Sequence, residues 1–178
     1  GSCVIIIYFI LFFKYINYIK QNIDNKLICG DTMKLVIQRV TNAKVEVDNK
    51  ITGEIKEGLM VLVGFGLNDT TREVDYLASK LVKLRIFEDE NEKMNLSIRD
   101  IGGKLLLVPQ FTLYGRTKKN RPSFHKALNP TKASELFDYF VGICSKDVPV
   151  ETGVFGAFMN VSLLNNGPVT ILLEKEFD

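Results

Sequence analysis

Hydrophobic and polar residues alternate along the first patterned segment of the chain, residues 34–47. On either side of a break at Asn42 and Ala43, its apolar positions are Leu35, Ile37, Val45 and Val47. Because a period of two is typical of a strand with one buried face, the segment predicts a long strand with a bulge or kink at the break. Residues 48–50 (Asp-Asn-Lys) then predict a hairpin turn, and residues 51–55 predict the returning strand.

The next segments predict buried strands and two helices. Residues 59–65, and residues 104–108 after the initial Lys104, are mainly apolar, as expected of strands that are covered on both faces. One helix is expected to begin at Thr70, which forms a capping box with Glu73. The other is expected to begin at Asn129 as the N-cap, followed by Pro130 at the first helical position. In both helices apolar residues recur at intervals of three and four, so each predicts one buried face.

Near the end of the chain, two apolar β-prone runs, residues 158–164 and 169–173, flank the 165–170 segment (Asn-Asn-Gly-Pro-Val-Thr). Gly and Pro between two such runs predict a hairpin turn. The alternative is that Gly167 and Pro168 present their backbone to a ligand, and an X-Pro bond is also where a cis peptide costs little.

The first 32 residues differ from the rest of the chain. Gly1 and Ser2 resemble the remnant of a cleaved tag, and residues 3–13 form an apolar run of eleven residues, shorter than the roughly 20 needed to span a bilayer. No basic segment precedes the run, so a signal peptide is a poor match. We interpret residues 1–32 as an extension, a tag remnant or translated leader with at most one helix. Residues 33–178 then form a single domain, with Met33 as the functional start.

Charge and cysteine content narrow the partners and the compartment. The net charge is only +2, but residues 101–134 hold seven Lys or Arg and no acidic residue, against sixteen basic and twenty-one acidic residues elsewhere. This predicts a basic face for an anionic partner, although a solvated loop is the plainer alternative. Three scattered cysteines favour a reducing compartment, which we take to be the cytoplasm, and nothing predicts membrane association. The residues that would contact phosphates lie in the basic loop, residues 115–126, and are Arg116, Lys118, Lys119 and Arg121.

Conventional nucleophilic catalysis is disfavoured by composition. The single histidine, His125, lies in the basic loop, and no Cys/His cluster has the spacing of a zinc site, so neither a metal nor a cofactor is predicted. An enzyme of this composition would depend on positioning and on backbone N–H donors. The 110–112 segment (Gln-Phe-Thr) follows a buried strand and can offer such donors. Phe111 is equally compatible with a place in the core, and Thr112 is interpreted as a hydrogen-bonding group.

Five segments together resemble one family. They are residues 33–40 (MKLVIQRV), 93–96 (KMNL), 110–113 (QFTL), 121–124 (RPSF) and 165–170 (NNGPVT). In this order and spacing they are similar to the D-aminoacyl-tRNA deacylases, the D-tyrosyl-tRNA deacylase family. The resemblance covers residues 33–178 and leaves residues 1–32 without a counterpart.

The resemblance implies an α/β fold with three layers, β/β/α, mostly antiparallel or mixed sheets and two main helices. It also implies a homodimer that hydrolyses the ester of D-aminoacyl-tRNA and of glycyl-tRNA, with tRNA as partner and no cofactor. Gly167 and Pro168, joined by a cis bond, would enter the partner's pocket and exclude L side chains. The remaining implied site residues are Gln110, Phe111 and Thr112 lining the pocket, Arg39 and Asn165 at the Gly-Pro segment, and Phe155 and Met159 near the terminal adenosine.

One residue departs from the family pattern. Pro109 stands where the family usually has Ser, which excludes a serine nucleophile at this position and removes one N–H from the strand. Two alternatives therefore stay open: a catalytically idle tRNA-binding relative, and a related deacylase with relaxed chirality.

Overall fold

The computed structural model describes residues 32–175, so the predictions for residues 1–31 lie outside the described part of the chain. Within it, the structure has eight strands and two α-helices. The strands are β1 (Lys34–Val47), β2 (Lys50–Ile55), β3 (Gly58–Gly64), β4 (Phe87–Glu88), β5 (Met94–Leu96), β6 (Lys104–Pro109), β7 (Val150–Thr152) and β8 (Asn160–Glu174). The helices are α1 (Thr71–Lys83) and α2 (Pro130–Cys144), and a 3-10 helix covers Phe111–Tyr114.

The main sheet is mixed, as predicted. Its order is β2-β1-β3-β6-β7, and β8 pairs with β1. β1 is antiparallel to β2, β3 and β8, whereas β6 is parallel to both β3 and β7. β4 and β5 form a separate two-stranded sheet.

Two apolar cores on opposite faces of β3 and β6 give the fold its three layers. Alternate residues of these strands, such as Leu59 and Leu105, join the core beneath the two helices. The residues between them, Met60 and Leu106, join a second core with the far half of β1. Strands covered on both faces need apolar side chains at every position, which explains their continuous apolar runs. The predicted three-layer α/β fold is confirmed.

Local signals in the sequence correctly placed both helix starts. Thr70 and Glu73 form the reciprocal capping box, and the Asn129 side chain accepts a hydrogen bond from the N–H of Lys132. The turn at Asp48 and Asn49 has positive φ at both residues, as a two-residue hairpin turn requires.

The predicted hairpin at the 165–170 segment is wrong, because β8 is a single strand. Its two halves both pair with β1: Gln38 faces Thr170, and Val40 faces Asn165. Two steps along β1 therefore correspond to five along β8, so the residues between Asn165 and Thr170 leave the ladder as a wide bulge. The irregularity predicted in β1 is present, and it lies between Gln38 and Asn42, slightly earlier than expected.

Candidate active site

The 110–112 segment lies where β6 ends and the chain turns into the 3-10 helix. The N–H of Gln110 donates to Val63 O at 2.8 Å, so the ladder continues past Pro109 despite its missing N–H. The Gln110 N–H is therefore not available to a substrate, contrary to our expectation for the whole segment. The N–H groups of Phe111 and Thr112 begin the 3-10 helix and have no acceptor within it, so they remain free for a ligand.

The side chains of this segment stand at the surface. Phe111 is 59% exposed and meets the ring of Phe124 edge-on, with centroids 5.0 Å apart. The Gln110 amide donates to the Thr112 hydroxyl, so this hydroxyl already has a neutral partner. The structure thus places Phe111 outside the core, and Thr112 beside an amide rather than a base.

A cavity of about 410 Å³ opens beside the 110–112 segment. Its walls are mainly apolar and aromatic, and they come from β3, from the segment itself, from the loop before α2 and from the first turn of α2. Three aromatic rings contribute to the lining, those of Phe111, Phe124 and Phe155. A volume of this size and an apolar lining with few polar groups are typical of a small-ligand site.

None of the described residues that line this cavity carries an ionisable side chain. General acid–base catalysis by side chains of this wall is thus excluded, and the polar groups that remain are backbone groups and the amides of Gln110 and Asn129. His125 lies outside the lining and has Ser123 Oγ 3.2 Å from its Nδ1. Burial raises the pKa of the Cys144 thiol to about 12, so it cannot supply a thiolate at neutral pH.

The 165–170 segment is held in shape by the side chain of Asn165. Its Oδ1 accepts from Val169 N at 2.7 Å, and its Nδ2 donates to Val169 O at 3.1 Å. These two bonds replace the ladder bonds that the bulge interrupts. The Gly167–Pro168 peptide bond is cis, and Gly167 has φ of 141°, a conformation that favours glycine.

Arg39 supports the same segment from beneath. It is only 5% exposed, and its Nε donates to Asn166 O at 2.9 Å. Its Nη1 donates to Ile86 O at 2.7 Å, and its Nη2 lies 3.6 Å from Glu88 Oε1. The guanidinium therefore ties the bulge of β8 to the start of β4. The burial of Arg39 is consistent with the alternation of β1, because Arg39 continues the series of buried alternate positions that begins with Leu35 and Ile37.

The two predicted motifs line different cavities of the described chain. The 110–112 segment borders the aromatic cavity, while Asn166 and Gly167 border a polar one that includes Arg39 and Glu88. Of the residues expected near an adenosine, Phe155 lines the aromatic cavity, whereas Met159 packs against the second core. A single copy of the described chain does not bring the two motifs into one cavity.

The four basic residues of the predicted phosphate contact are all exposed. The backbone of Arg116 exchanges two hydrogen bonds with Ser123, N–O distances 2.8 and 3.1 Å, which folds the basic loop back on itself. Phe124 follows directly and lines the aromatic cavity. The basic side chains therefore lie on a loop that is continuous with the cavity wall.

One wall of the cavity was not predicted from the sequence. Asn129, Pro130 and Ala133 at the start of α2 contribute to it. The helix start was predicted, but no local signal shows what a helix end faces. Among residues 32–175, no three His, Cys, Asp or Glu residues are grouped to hold a metal ion, and no helix is long and apolar enough to cross a membrane.

Comparison with known proteins agrees with the fold and the motifs. A family model described as D-Tyr-tRNA(Tyr) deacylase matches residues 36–174. The D-aminoacyl-tRNA deacylase of Koribacter versatilis is 56% identical over 149 residues, which is 82% of this chain and 100% of that protein. The enzyme of the same name from Thermosipho africanus is 53% identical over 146 residues, which is 81% of this chain and 98% of that protein.

Solved structures share the same architecture. The c-Myc DNA unwinding element binding protein has a TM-score of 0.77 at 38% identity, over 81% of this chain and 99% of that one. A probable eukaryotic D-amino acid tRNA deacylase has a TM-score of 0.70 over 81% of this chain and 100% of that one. Its identity is 19%, so it shows the fold alone.

Together, the fold and the relatives define the class as an enzyme, a hydrolase, as predicted. The chain belongs to the D-Tyr-tRNA(Tyr) deacylase family, because the family model and relatives above 50% identity both cover most of it.

Proposed function

We propose that the protein hydrolyses the ester bond of D-aminoacyl-tRNA, and of glycyl-tRNA, and so removes wrongly attached amino acids. The observation that carries this proposal is the cavity without ionisable walls beside the free N–H groups of Phe111 and Thr112. Such a site suits an ester, because the carbonyl oxygen gains negative charge during attack and N–H donors stabilise it.

The reaction needs no protein nucleophile. Water adds to the ester carbonyl carbon, and the bond from that carbon to the ribose oxygen breaks. One proton of the water goes to the leaving ribose oxygen and the other is released to solvent, giving free tRNA and the amino acid carboxylate. The neighbouring 2′-hydroxyl of the terminal adenosine is a suitable group to orient the water. The protein contributes position and backbone donors, and positioning alone is worth roughly 7–11 kcal/mol in favourable cases.

A second copy of the chain completes the proposed site. Among residues 32–175, β8 pairs only with β1, which leaves its other edge without a partner strand from the described part of the chain. On or just before this strand, Phe158 is 87% exposed, Leu164 is 58% exposed and Leu172 is 62% exposed. Exposed apolar residues along an open edge favour an interface between copies. In such a homodimer, Gly167 and Pro168 of one copy would reach the aromatic cavity of the other.

Chirality would be read by the backbone of that segment. The carbonyl groups of Gly167 and Pro168 would accept from the substrate ammonium, and the same backbone would occupy the space that an L side chain needs. A D side chain points away, and glycine has no side chain to reject. Backbone suits this role because Arg39 and Asn165 fix its position, while a side chain could rotate aside.

The tRNA would approach over the basic loop. Its terminal adenosine fits the aromatic cavity, where a base can stack on Phe111, Phe124 or Phe155. Arg116, Lys118, Lys119 and Arg121 would then contact the backbone phosphates of the acceptor end. We place the protein in the cytoplasm as part of this proposal, since its substrate is made there.

The deciding experiment is deacylation of matched tRNAs carrying the D-amino acid, the L-amino acid or glycine by the purified protein. We expect release from the D-aminoacyl and glycyl forms, and slow release from the L form. No release from any form, with tRNA binding retained, would instead support the idle tRNA-binding relative. Equal release from the D and L forms would support the deacylase with relaxed chirality.

A further inference from the structure

A buried carboxylate lies beside the start of β1. Asp69, just before α1, is 8% exposed. Its Oδ2 accepts from Gly66 N at 2.6 Å, and its Oδ1 accepts from Met33 N at 2.9 Å. Both donors are neutral peptide groups, and burial raises the pKa of Asp69 to about 7 despite them. A buried carboxylate is usually paired with a cation, whereas neither of the two groups that donate hydrogen bonds to Asp69 carries a charge.

The Met33 N–H, which donates to Asp69, belongs to a residue whose side chain the fold needs. The Met33 side chain is fully buried in the core beneath the helices. Its removal would leave a cavity at the start of β1 and so destabilise the fold. Any form of the chain that folds in this way therefore keeps Met33, with its nitrogen at the Asp69 carboxylate.

The relatives lack most of the chain that precedes Met33. The Koribacter and Thermosipho proteins match over 98–100% of their own length but cover only 81–82% of this chain. The family match extends to residue 174 of 178, so most of the unmatched fifth precedes the match. Those relatives therefore correspond to the part of this chain that begins near Met33.

We propose that Asp69 is a binding site for a free α-ammonium group on Met33, and that the mature chain begins there with its methionine retained. The ammonium would take the place of the peptide N–H, 2.9 Å from Oδ1, and add the missing positive charge. Removal of Thr32 leaves no donor stranded, because the Tyr114 hydroxyl, which donates to Thr32 O, also has Gly64 O at 3.1 Å. A formyl or acetyl group on Met33 would abolish the ion pair.

Stability should depend on pH in opposite ways in the extended chain and in the free form, the chain that begins at Met33 with a free amine. In the extended chain, the folded pKa of Asp69 lies above its unfolded value, so this group makes stability fall as pH rises from about 4 to about 7. In the free form the pair lowers the pKa of Asp69 and raises that of the amine. Its stabilisation is then present between about pH 4 and pH 8, and is lost as pH rises through the raised amine pKa. The other charged groups acting on Asp69 are Glu73, which raises its pKa, and Lys175, which lowers it.

The test compares the chain beginning at Met33 with a free amine, the same chain acetylated at that amine, and the full 178-residue chain. Each is made with Asp69 and with Asp69→Asn, and the melting temperature is followed from pH 5 to pH 9. We expect the free-amine form to melt several degrees higher than the acetylated form near neutral pH. The difference should vanish with Asp69→Asn and persist in the control Glu73→Gln, which removes a nearby carboxylate that the pair does not use.

An equal difference between free and acetylated forms in the Asp69→Asn background would overturn the proposal. Should that variant fail to fold, the folded free-amine protein gives a second measurement, the rate at which an acylating reagent labels the α-amine as pH is varied. We expect slow labelling and an amine pKa above its usual value of about 8. Labelling at the rate of an unfolded peptide would contradict the ion pair. Neither measurement depends on the deacylase activity.

Discussion

The 110–112 and 165–170 segments both leave regular strand structure, yet they are held in different ways. The first begins at the end of β6, is fixed by the backbone bond from Gln110 to Val63, and borders the aromatic cavity of its own chain. The second lies inside β8 and is fixed by the side chains of Asn165 and Arg39. A segment fixed this firmly, without the aromatic cavity of its own chain in front of it, suits a role in another copy.

The largest effect on activity should come from separating the two proposed copies. Leu172→Lys places a charge on the exposed face of β8, where burial against a second copy would be costly. We expect a monomer in sedimentation and a loss of deacylation on the order of 100-fold or more, because the Gly167 segment leaves the site. Ile51→Lys, at an exposed apolar position on β2, is the matched control and should change neither. A monomeric Leu172→Lys protein with full activity would rule out the shared site.

The next largest effect should come from the support beneath the bulge. Arg39→Lys keeps a charge but cannot contact Asn166 O, Ile86 O and Glu88 together, because lysine lacks the planar fork. We expect a loss of about 1–3 kcal/mol in the free energy of unfolding by urea titration. The displaced segment should lower kcat/KM roughly 100-fold. Lys44→Ala, which removes a partly exposed ion pair on the same strand, serves as the control.

Unchanged discrimination between D- and L-aminoacyl-tRNA in folded Arg39→Lys would separate the bulge from chiral selection. Such a result would direct the search for specificity to the residues that line the aromatic cavity.

A smaller effect is expected at Thr112, in the 110–112 segment. Thr112→Ala removes the acceptor of the Gln110 amide, one hydrogen bond worth about 0.5–1.5 kcal/mol. Deacylation should therefore fall only about two- to tenfold, and Thr112→Ser should restore it. Capture of an aminoacyl group covalently attached to Thr112 would show that this hydroxyl is a nucleophile after all.

The smallest effect should arise from the basic loop. The double substitution Lys118→Ala and Lys119→Ala should weaken tRNA binding and reduce the slope of log affinity against log salt by about one unit for each phosphate that is no longer neutralised. Because these side chains are exposed and absent from the cavity lining, kcat at saturating tRNA should be unchanged. Lys50→Ala with Lys56→Ala, exposed on β2 and beyond its end, is the control. The same slope in both double variants would identify a merely solvated loop.

Features specified by neighbouring residues could be predicted from the sequence. The capping box of Thr70 and Glu73, the N-cap of Asn129 and the turn at Asp48 and Asn49 each depend on residues within a few positions. The alternation of β1 likewise indicates one buried face, and the apolar runs of β3 and β6 indicate burial on both faces. The family motifs then supplied the three-layer arrangement, which these local patterns did not specify.

Features specified by distant partners could not be predicted. Asn, Gly and Pro between apolar runs have the composition of a turn, and only pairing with β1 turns the 165–170 segment into a bulge. The bonds of Arg39 reach residues 47 and 127 positions away in the sequence, so no local pattern indicates them. The wall formed by Asn129 and Ala133 depends on how α2 docks, which its own spacing does not reveal.

The pairing of β1 with β8 also constrains the order of folding. β1 is the first strand of the described chain and β8 is the last, and they pair from Lys34 with Glu174 to Glu46 with Asn160. A nascent chain emerging from the ribosome thus holds one edge of β1 unpaired until the final strand arrives, and contacts so distant in sequence close slowly. During synthesis Arg39 lacks the Asn166 carbonyl, so the segment proposed to select the substrate is among the last parts of the protein to take shape.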